Sequence, residues 1–209
     1  NRLERIGVLE RIAHSDWAAP IVPVMKPSGA VRICGDFKVT VNPQIKVDQY
    51  PLPRPEELFA ALNGGQQFTK LDFSEAYLQV ELDEEAQKCL VINTHKGLYR
   101  YKRLPFGISS APAIFQQTMD QVIQGLKGVV CYLDDLVVTG RSRQEHLRNL
   151  EAVLHRIREY GFRIRREKCA FLEDSIEYLG HIIDRQGIRP TPKKVKALRN
   201  APAPKDQSQ

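Results

Sequence analysis

The chain has 209 residues, 42% of them apolar and 27% charged, with a formal net charge of +6. A chain of that length buries about 70% of its unfolded surface, enough for one domain or two small subdomains, and this composition excludes a disordered or fibrous protein. No apolar run approaches the ~18 residues of a membrane-spanning helix, and the scattered Cys34, Cys89, Cys131 and Cys169 make neither a disulfide framework nor a zinc site. Reduced thiols and an intracellular setting are the default. The first residue is Asn1 in the charged stretch NRLERIG, so the chain reads as a piece of a longer polypeptide.

In chain order, apolar residues at 3, 6, 9 and 12 predict a short amphipathic helix over Leu3 to Ile12. Pro20 to Met25 and Val31 to Phe37 read as a hairpin turning at Pro27-Ser28-Gly29, with Lys26 and Arg32 near it. Prolines make Asn42 to Pro55 an extended connector, and Glu56 to Leu62 a helix ended by Gly64-Gly65. Phe68 to Phe73 is a strand that carries Asp72 near its end. Leu78-Val80-Leu82 alternates as a second strand, Lys88 to Asn93 reads as its neighbour, and His95-Lys96-Gly97 turns the chain into Tyr99-Arg100-Tyr101. SSAPAIFQQTMDQVIQG reads as a helix capped by Ser109 or Ser110, with Pro112 in its first turn.

VVCYLDDLVVTG, residues 129–140, follows as two strand-like runs meeting at Asp134 and Asp135. A helix from about Ser142 to Tyr160 places Leu147, Leu150, Leu154 and Ile157 on one side, with Gly161 as its C-cap. Phe162 to Ile164 and Tyr178 to Ile183 read as further strands, and APAPKDQSQ as a linker. The positive charge is concentrated here: nine Arg/Lys face four Glu between Arg141 and Lys168, as a solvated helix face or a polyanion-binding surface. The order of elements predicts an α+β fold, with one antiparallel or mixed sheet, helices on a single face and the other face open to a nucleic acid.

Two adjacent aspartates between strands make a competent turn, because short Asp side chains tolerate unusual backbone angles. They also repel each other unless solvent or a cation intervenes. A strand ending at Asp72 beside that hairpin gathers three hard oxygen ligands at one end of the sheet. Such a set suits Mg²⁺ and not zinc, and two ions about 3.5–4 Å apart serve phosphoryl transfer.

LDFSEAYLQV (71–80), LPFGISSAPAIFQ (104–116) and YLDD (132–135) closely resemble the polymerase motifs of reverse transcriptases, particularly those of Ty3/Gypsy-type long-terminal-repeat retrotransposons. VRICGDFKVTVN (31–42), RREKCAFLEDSIEYLGHII (165–183) and GIRPTPKKVKAL (187–198) extend the match in colinear order along essentially the whole chain. The resemblance implies the fingers and palm of an RNA-directed DNA polymerase: fingers over 1–50 and 80–110, palm over 51–79 and 111–183, and a linker from 184 to 209 toward a missing thumb. It implies transfer of deoxynucleotides from their triphosphates to a primer 3′-hydroxyl on an RNA or DNA template, in retroelement particles of the cytoplasm. Asp72, Asp134 and Asp135 are then the metal-binding carboxylates for two Mg²⁺ ions, with Mn²⁺ as a possible substitute. Arg32 and Lys26 correspond to fingers contacts with the triphosphate, and Tyr77 to the ring beneath the incoming sugar. Phe106 and Gly107 lie in the nucleotide-pocket loop, Lys168 in a segment that approaches the leaving group, and Tyr178, Leu179 and Gly180 in the primer-positioning hairpin.

Gly35 and Lys38 depart from the commonest family pattern, which is expected to loosen the fingers or weaken a polar contact without removing the metal site. The family's thumb and RNase H regions, parts of a longer polyprotein, have no counterpart in these residues. Two other readings remain open at this level: a noncatalytic nucleic-acid-binding module, and an inactive truncated retroelement remnant.

Overall fold

The computed structural model describes residues 2–25, 29, 31–45 and 50–200; Lys26, most of the Pro27-Ser28-Gly29 turn and the APAPKDQSQ tail lie outside them. In chain order the strands are β1 (Leu9–Ile12), β2 (Ile21–Met25), β3 (Val31–Gly35), β4 (Gln67–Asp72), β5 (Val91–Thr94) and β6 (Gly97–Tyr101). They continue as β7 (Val129–Tyr132), β8 (Asp135–Gly140), β9 (Ala170–Glu173), β10 (Ser175–Tyr178), β11 (His181–Asp184) and β12 (Gly187–Pro190). The helices are α1 (Arg2–Arg5), α2 (Pro55–Leu62), α3 (Glu84–Cys89), α4 (Ala111–Ile123), α5 (Arg143–Glu159) and α6 (Pro192–Arg199). The chain divides into two compact units, the first of residues 1–52, 73–122 and 161–163, the second of 53–72, 123–160 and 164–209.

The first unit holds an antiparallel sheet of order β1-β6-β5 and the hairpin β2-β3. Its core gathers Phe37, Ile92, Tyr101 and Leu104, all almost inaccessible to solvent. The helix expected over Leu3 to Ile12 splits here. α1 stops at Arg5, Gly7 takes φ +73°, and residues 9–12 join the ladder with β6. A ten-residue helix is marginal in water, whereas each residue of β1 gains a cross-strand partner. The strand expected over Leu78-Val80-Leu82 begins instead as a 3-10 turn, Ala76–Gln79. Lys88 belongs to α3, which Asp83 starts by accepting a hydrogen bond from the Ala86 N–H at 2.7 Å.

The second unit is built on an antiparallel sheet of order β7-β8-β4-β9 and a smaller one of order β10-β11-β12. Leu136, Val137 and Val138 of β8 are wholly buried, as expected for a strand with neighbours on both edges and layers on both faces. α5 covers one face with His146, Leu150, Val153 and Ile157. Ser142 caps that helix by accepting from Glu145 N–H at 3.2 Å, and Gly161 follows its end at φ +74°. Leu147, expected on the packed side, is 43% exposed. The buried stripe is rotated one residue back because His146 reaches Thr69 of β4, with Nε2 2.8 Å from the hydroxyl.

On the other face Leu58 and Leu62 of α2 join Phe68, Val130 and Val137, together with Ile176, Tyr178 and Ile183 from the smaller sheet. Tyr178 to Ile183 is two strands rather than one, because Leu179 and Gly180 take φ +48° and +72° and reverse the chain. The described part of the expected linker, 184–200, is not a plain connector: it carries β12 and α6. Antiparallel sheets with flanking helices are the expected α+β class, but the single sheet with helices on one face is not what forms: the described residues make four sheets, and the central one of the second unit is covered by α5 on one face and α2 on the other. Among the described residues no helix is long and apolar enough to cross a membrane.

Candidate active site

The acidic cluster forms within the second unit. Asp72, the last residue of β4, lies directly opposite Asp135, the first of β8, in antiparallel register. Directly opposed residues share a sheet face with Cβ atoms about 4.5–5.5 Å apart. Tyr132 pairs with Asp135, so Leu133 and Asp134 alone make the loop between β7 and β8. The unusual backbone angle falls on neither aspartate: Leu133 has φ +54°, a conformation that favours glycine. Such strain persists only where the surroundings enforce it, and it concentrates at functional sites.

A segment from much later in the chain fixes Asp72. The Arg165 N–H donates to the Asp72 carbonyl at 2.8 Å, while the Asp72 N–H donates to Cys169 Sγ at 3.4 Å. This clamp brings Arg165 and Lys168 near the carboxyl. Burial holds the Asp72 carboxyl above its ordinary range; Lys168 and Arg165 pull it down, and Asp134 and Asp135 push it up. The charge balance of the three acids is completed by Lys70, whose Nζ lies 3.0 Å from Asp135 Oδ2. Lys70, Arg165 and Cys169 were missed as site residues. The first had a readable signal, since a residue two before Asp72 on a strand shares its face.

Among the described residues no group of three His, Cys, Asp or Glu side chains stands ready to enclose a metal ion. The donor set nevertheless fits magnesium. That ion keeps several waters and is held by one or two carboxylates plus substrate phosphates, rather than in an all-protein cage.

The β10–β11 turn carries Leu179 and Gly180, and Tyr178 before it is buried, with its ring edge-on to Phe59 at 6.5 Å. Burial pushes the Tyr178 hydroxyl far up, reinforced by Cys131, Asp135 and Tyr132 around the acidic loop. The Gly180 carbonyl accepts from Thr191 N–H at 3.1 Å.

In the first unit, the Arg32 guanidinium sits 4.4 Å over the centre of the Phe106 ring, a cation–π contact. Tyr77 meets Phe106 at a tilt with 5.1 Å between ring centres, and Phe115 edge-on at 5.4 Å. Arg32 and Phe106 help line a cavity of 180 Å³. Gly107, at φ +98°, lies so close to the Gly35 carbonyl that a Cβ would sit 2.9 Å from its oxygen. Asn42 ties down this loop, donating to the Gly107 carbonyl at 2.9 Å and accepting from Ser109 N–H at 3.0 Å. Gly35 does not loosen this region. A Cβ there would lie 2.5 Å from the Phe37 ring, so glycine is what the packing admits. Lys38 N–H is held by Asp36 at 3.2 Å.

Asp72, Asp134, Asp135 and Lys168 therefore come together, as do Arg32, Tyr77, Phe106 and Gly107, while Lys26 lies outside the described residues. The family model described as reverse transcriptase (RNA-dependent DNA polymerase) matches residues 24–183. The chain belongs to the reverse transcriptase family. It is 46% identical over 211 residues to the uncharacterized protein K02A2.6 of Caenorhabditis elegans, covering 100% of this chain and 16% of that protein. It is 33% identical over 175 residues to the retrovirus-related Pol polyprotein from transposon gypsy of Drosophila melanogaster, covering 83% of this chain and 17% of that one. Relationship to Gypsy-type Pol proteins is thus as the motifs implied. The structure of a foamy viral protease-reverse transcriptase in complex with double-stranded DNA shares the fold, with TM-score 0.86 and 24% identity, over 99% of this chain and 36% of that one. The chain spans about one sixth of the length of these curated relatives.

Proposed function

We propose that this chain is the fingers and palm of an RNA-directed DNA polymerase, which adds deoxynucleotides to a primer 3′-hydroxyl on an RNA or DNA template. The observation that carries the reading is the carboxylate pair Asp72–Asp135 across two central strands, with Asp134 in the adjoining loop and Lys168 and Arg165 alongside. A base-stacking platform has no use for three acids that repel phosphate, which disfavours the noncatalytic binding module.

Asp72 and Asp134 supply carboxylate oxygens for two Mg²⁺ ions, replaceable by Mn²⁺, and Asp135 completes the acidic set. When bound, the ions lower the pKa of the attacking hydroxyl and offset charge on the triphosphate. The primer hydroxyl gives up its proton to water, its oxygen bonds to the α-phosphorus, the bond from that phosphorus to the bridging oxygen breaks, and pyrophosphate leaves. Lys168, close to Asp72, assists protonation of that leaving group. Arg32, carried on β3 and stacked on Phe106, offers a planar fork to the phosphates, with Lys26 assisting. Tyr77 lies under the sugar and excludes a 2′-hydroxyl, while Phe106 and Gly107 form the pocket wall. Tyr178, Leu179 and Gly180 hold the primer end.

On this reading the first unit corresponds largely to fingers and the second to palm. The thumb and RNase H regions belong to the longer polyprotein, in cytoplasmic retroelement particles. Primer extension on an RNA template tests the reading. Mg²⁺-dependent extension that Asp134→Asn lowers at least ~10³-fold is the expected result. Duplex binding with no extension by either protein, and none by the full polyprotein, would refute it and favour the inactive remnant.

A further inference from the structure

We propose that Lys70 is a positioning residue that ties Asp135 to the sheet as a counter-charge, leaving Asp72 and Asp134 as the two carboxylates that take the metal ions. The inference rests on the polymerase reading, which already gives the ions to Asp72 and Asp134, and adds to it the role of Lys70.

Three observations carry it. Lys70 and Asp72 alternate onto one face of β4, and Asp135 is the cross-strand partner of Asp72 on that same face. Two like charges directly opposed across a ladder are destabilising, so a cation one step away relieves the repulsion while fixing which way one carboxylate leans. Lys70 Nζ contacts Asp135 Oδ2 at 3.0 Å, and both side chains are largely shielded, with 28% and 34% of their surface exposed. Asp72 instead feels Lys168 and Arg165, and among the described residues no ion pair engages Asp134. Asp135 is thus the carboxylate whose charge is already spoken for, whereas Asp134, in the strained loop after Leu133, is presented for an ion.

A charge-balanced pair of substitutions separates this from a ligand role for Asp135. Mn²⁺ alone, with no nucleotide, is titrated into the folded protein and read from the loss of the free-ion electron paramagnetic resonance signal. Lys70→Met strands a free carboxylate and should tighten Mn²⁺ binding about three- to tenfold, while Asp135→Asn strands a free ammonium and should weaken it by a similar factor. The double variant removes both charges and is expected to bind Mn²⁺ within about twofold of wild type, since neither group contacts the ion. If the double variant instead loses as much affinity as Asp135→Asn, then Asp135 is a ligand and the proposal is overturned. Lys70→Arg, which keeps the pair, should bind as wild type, and Lys70→Gln replaces Lys70→Met if circular dichroism shows that variant misfolded. Wild-type protein that binds Mn²⁺ but extends no primer refutes the polymerase reading alone; wild-type protein that binds no Mn²⁺ refutes both.

Discussion

Gly107→Ala perturbs the proposed nucleotide pocket through its backbone. At φ +98° an alanine is strained even in open space, and strain of this kind costs on the order of 1–3 kcal/mol. The space is not open: the new Cβ would lie 2.9 Å from the Gly35 carbonyl oxygen, a backbone atom that cannot swing aside. Relaxation would pull the loop from Asn42, whose two hydrogen bonds, at 2.9 and 3.0 Å, contribute about 0.5–1.5 kcal/mol each. Whichever route the loop takes, the loss is about 2–3 kcal/mol. For a chain of this size that lowers the thermal midpoint by about 5–10 °C. Differential scanning calorimetry measures the midpoint, and primer extension at a permissive temperature should show a raised KM for deoxynucleotide. A midpoint within 1–2 °C of wild type would refute the argument from the close approach of Gly107 and Gly35, at about the precision of the method.

His146, buried between α5 and β4 against Thr69, is held neutral because burial lowers its pKa. The unfolded state then binds more protons than the folded one as pH falls through the unfolded value of about 6.5, so stability is full above that pH and declines below it. Thermal midpoints measured from pH 8 to pH 5 should fall with acid, and a His146→Gln variant should lose part of that slope; an unchanged slope would contradict the assignment. On the proposed function, Tyr77→Ala opens the space beneath the incoming sugar. Its expected effect is a loss of at least about tenfold in discrimination against ribonucleotides, read as the ratio of kcat/KM for the two triphosphates. Unaltered discrimination would move the steric role elsewhere.

Much of the site was legible in the sequence because period-two strands and turn chemistry locate it. The run before Asp72 and the two runs flanking Asp134-Asp135 are long enough for one register to bury Leu136 and Val138 against α5. The caps of α5, Ser142 and Gly161, were equally readable. Short segments were not. Apolar spacing over Leu3 to Ile12 is satisfied by about one turn of helix followed by a strand, and the alternation at 78–82 begins in a 3-10 turn that ends at Gln79. For the first, the partner strand β6 decides, and it lies far along the chain; for the second, Gln79 is held by the carbonyls of Ser74 and Arg163. The Asp-Asp turn was placed correctly but for a partly mistaken reason, since Leu133 takes the left-handed angle and Asp135 is already in β8. Pairing of Lys70 with Asp135 is a tertiary choice among several cations, which periodicity narrows without selecting.

The clamp on Asp72 has a consequence for the chain as the ribosome delivers it. The thiol that receives its amide lies 97 residues downstream, and the amide that caps its carbonyl nearly as far. Until that stretch has emerged, the end of β4 exposes an unpaired donor and acceptor at the spot where the acids must later gather. The proposed metal site therefore cannot set before residues 165–169 have emerged, and a nascent chain halted before Arg165 carries every proposed metal ligand without the brace that aligns the first of them.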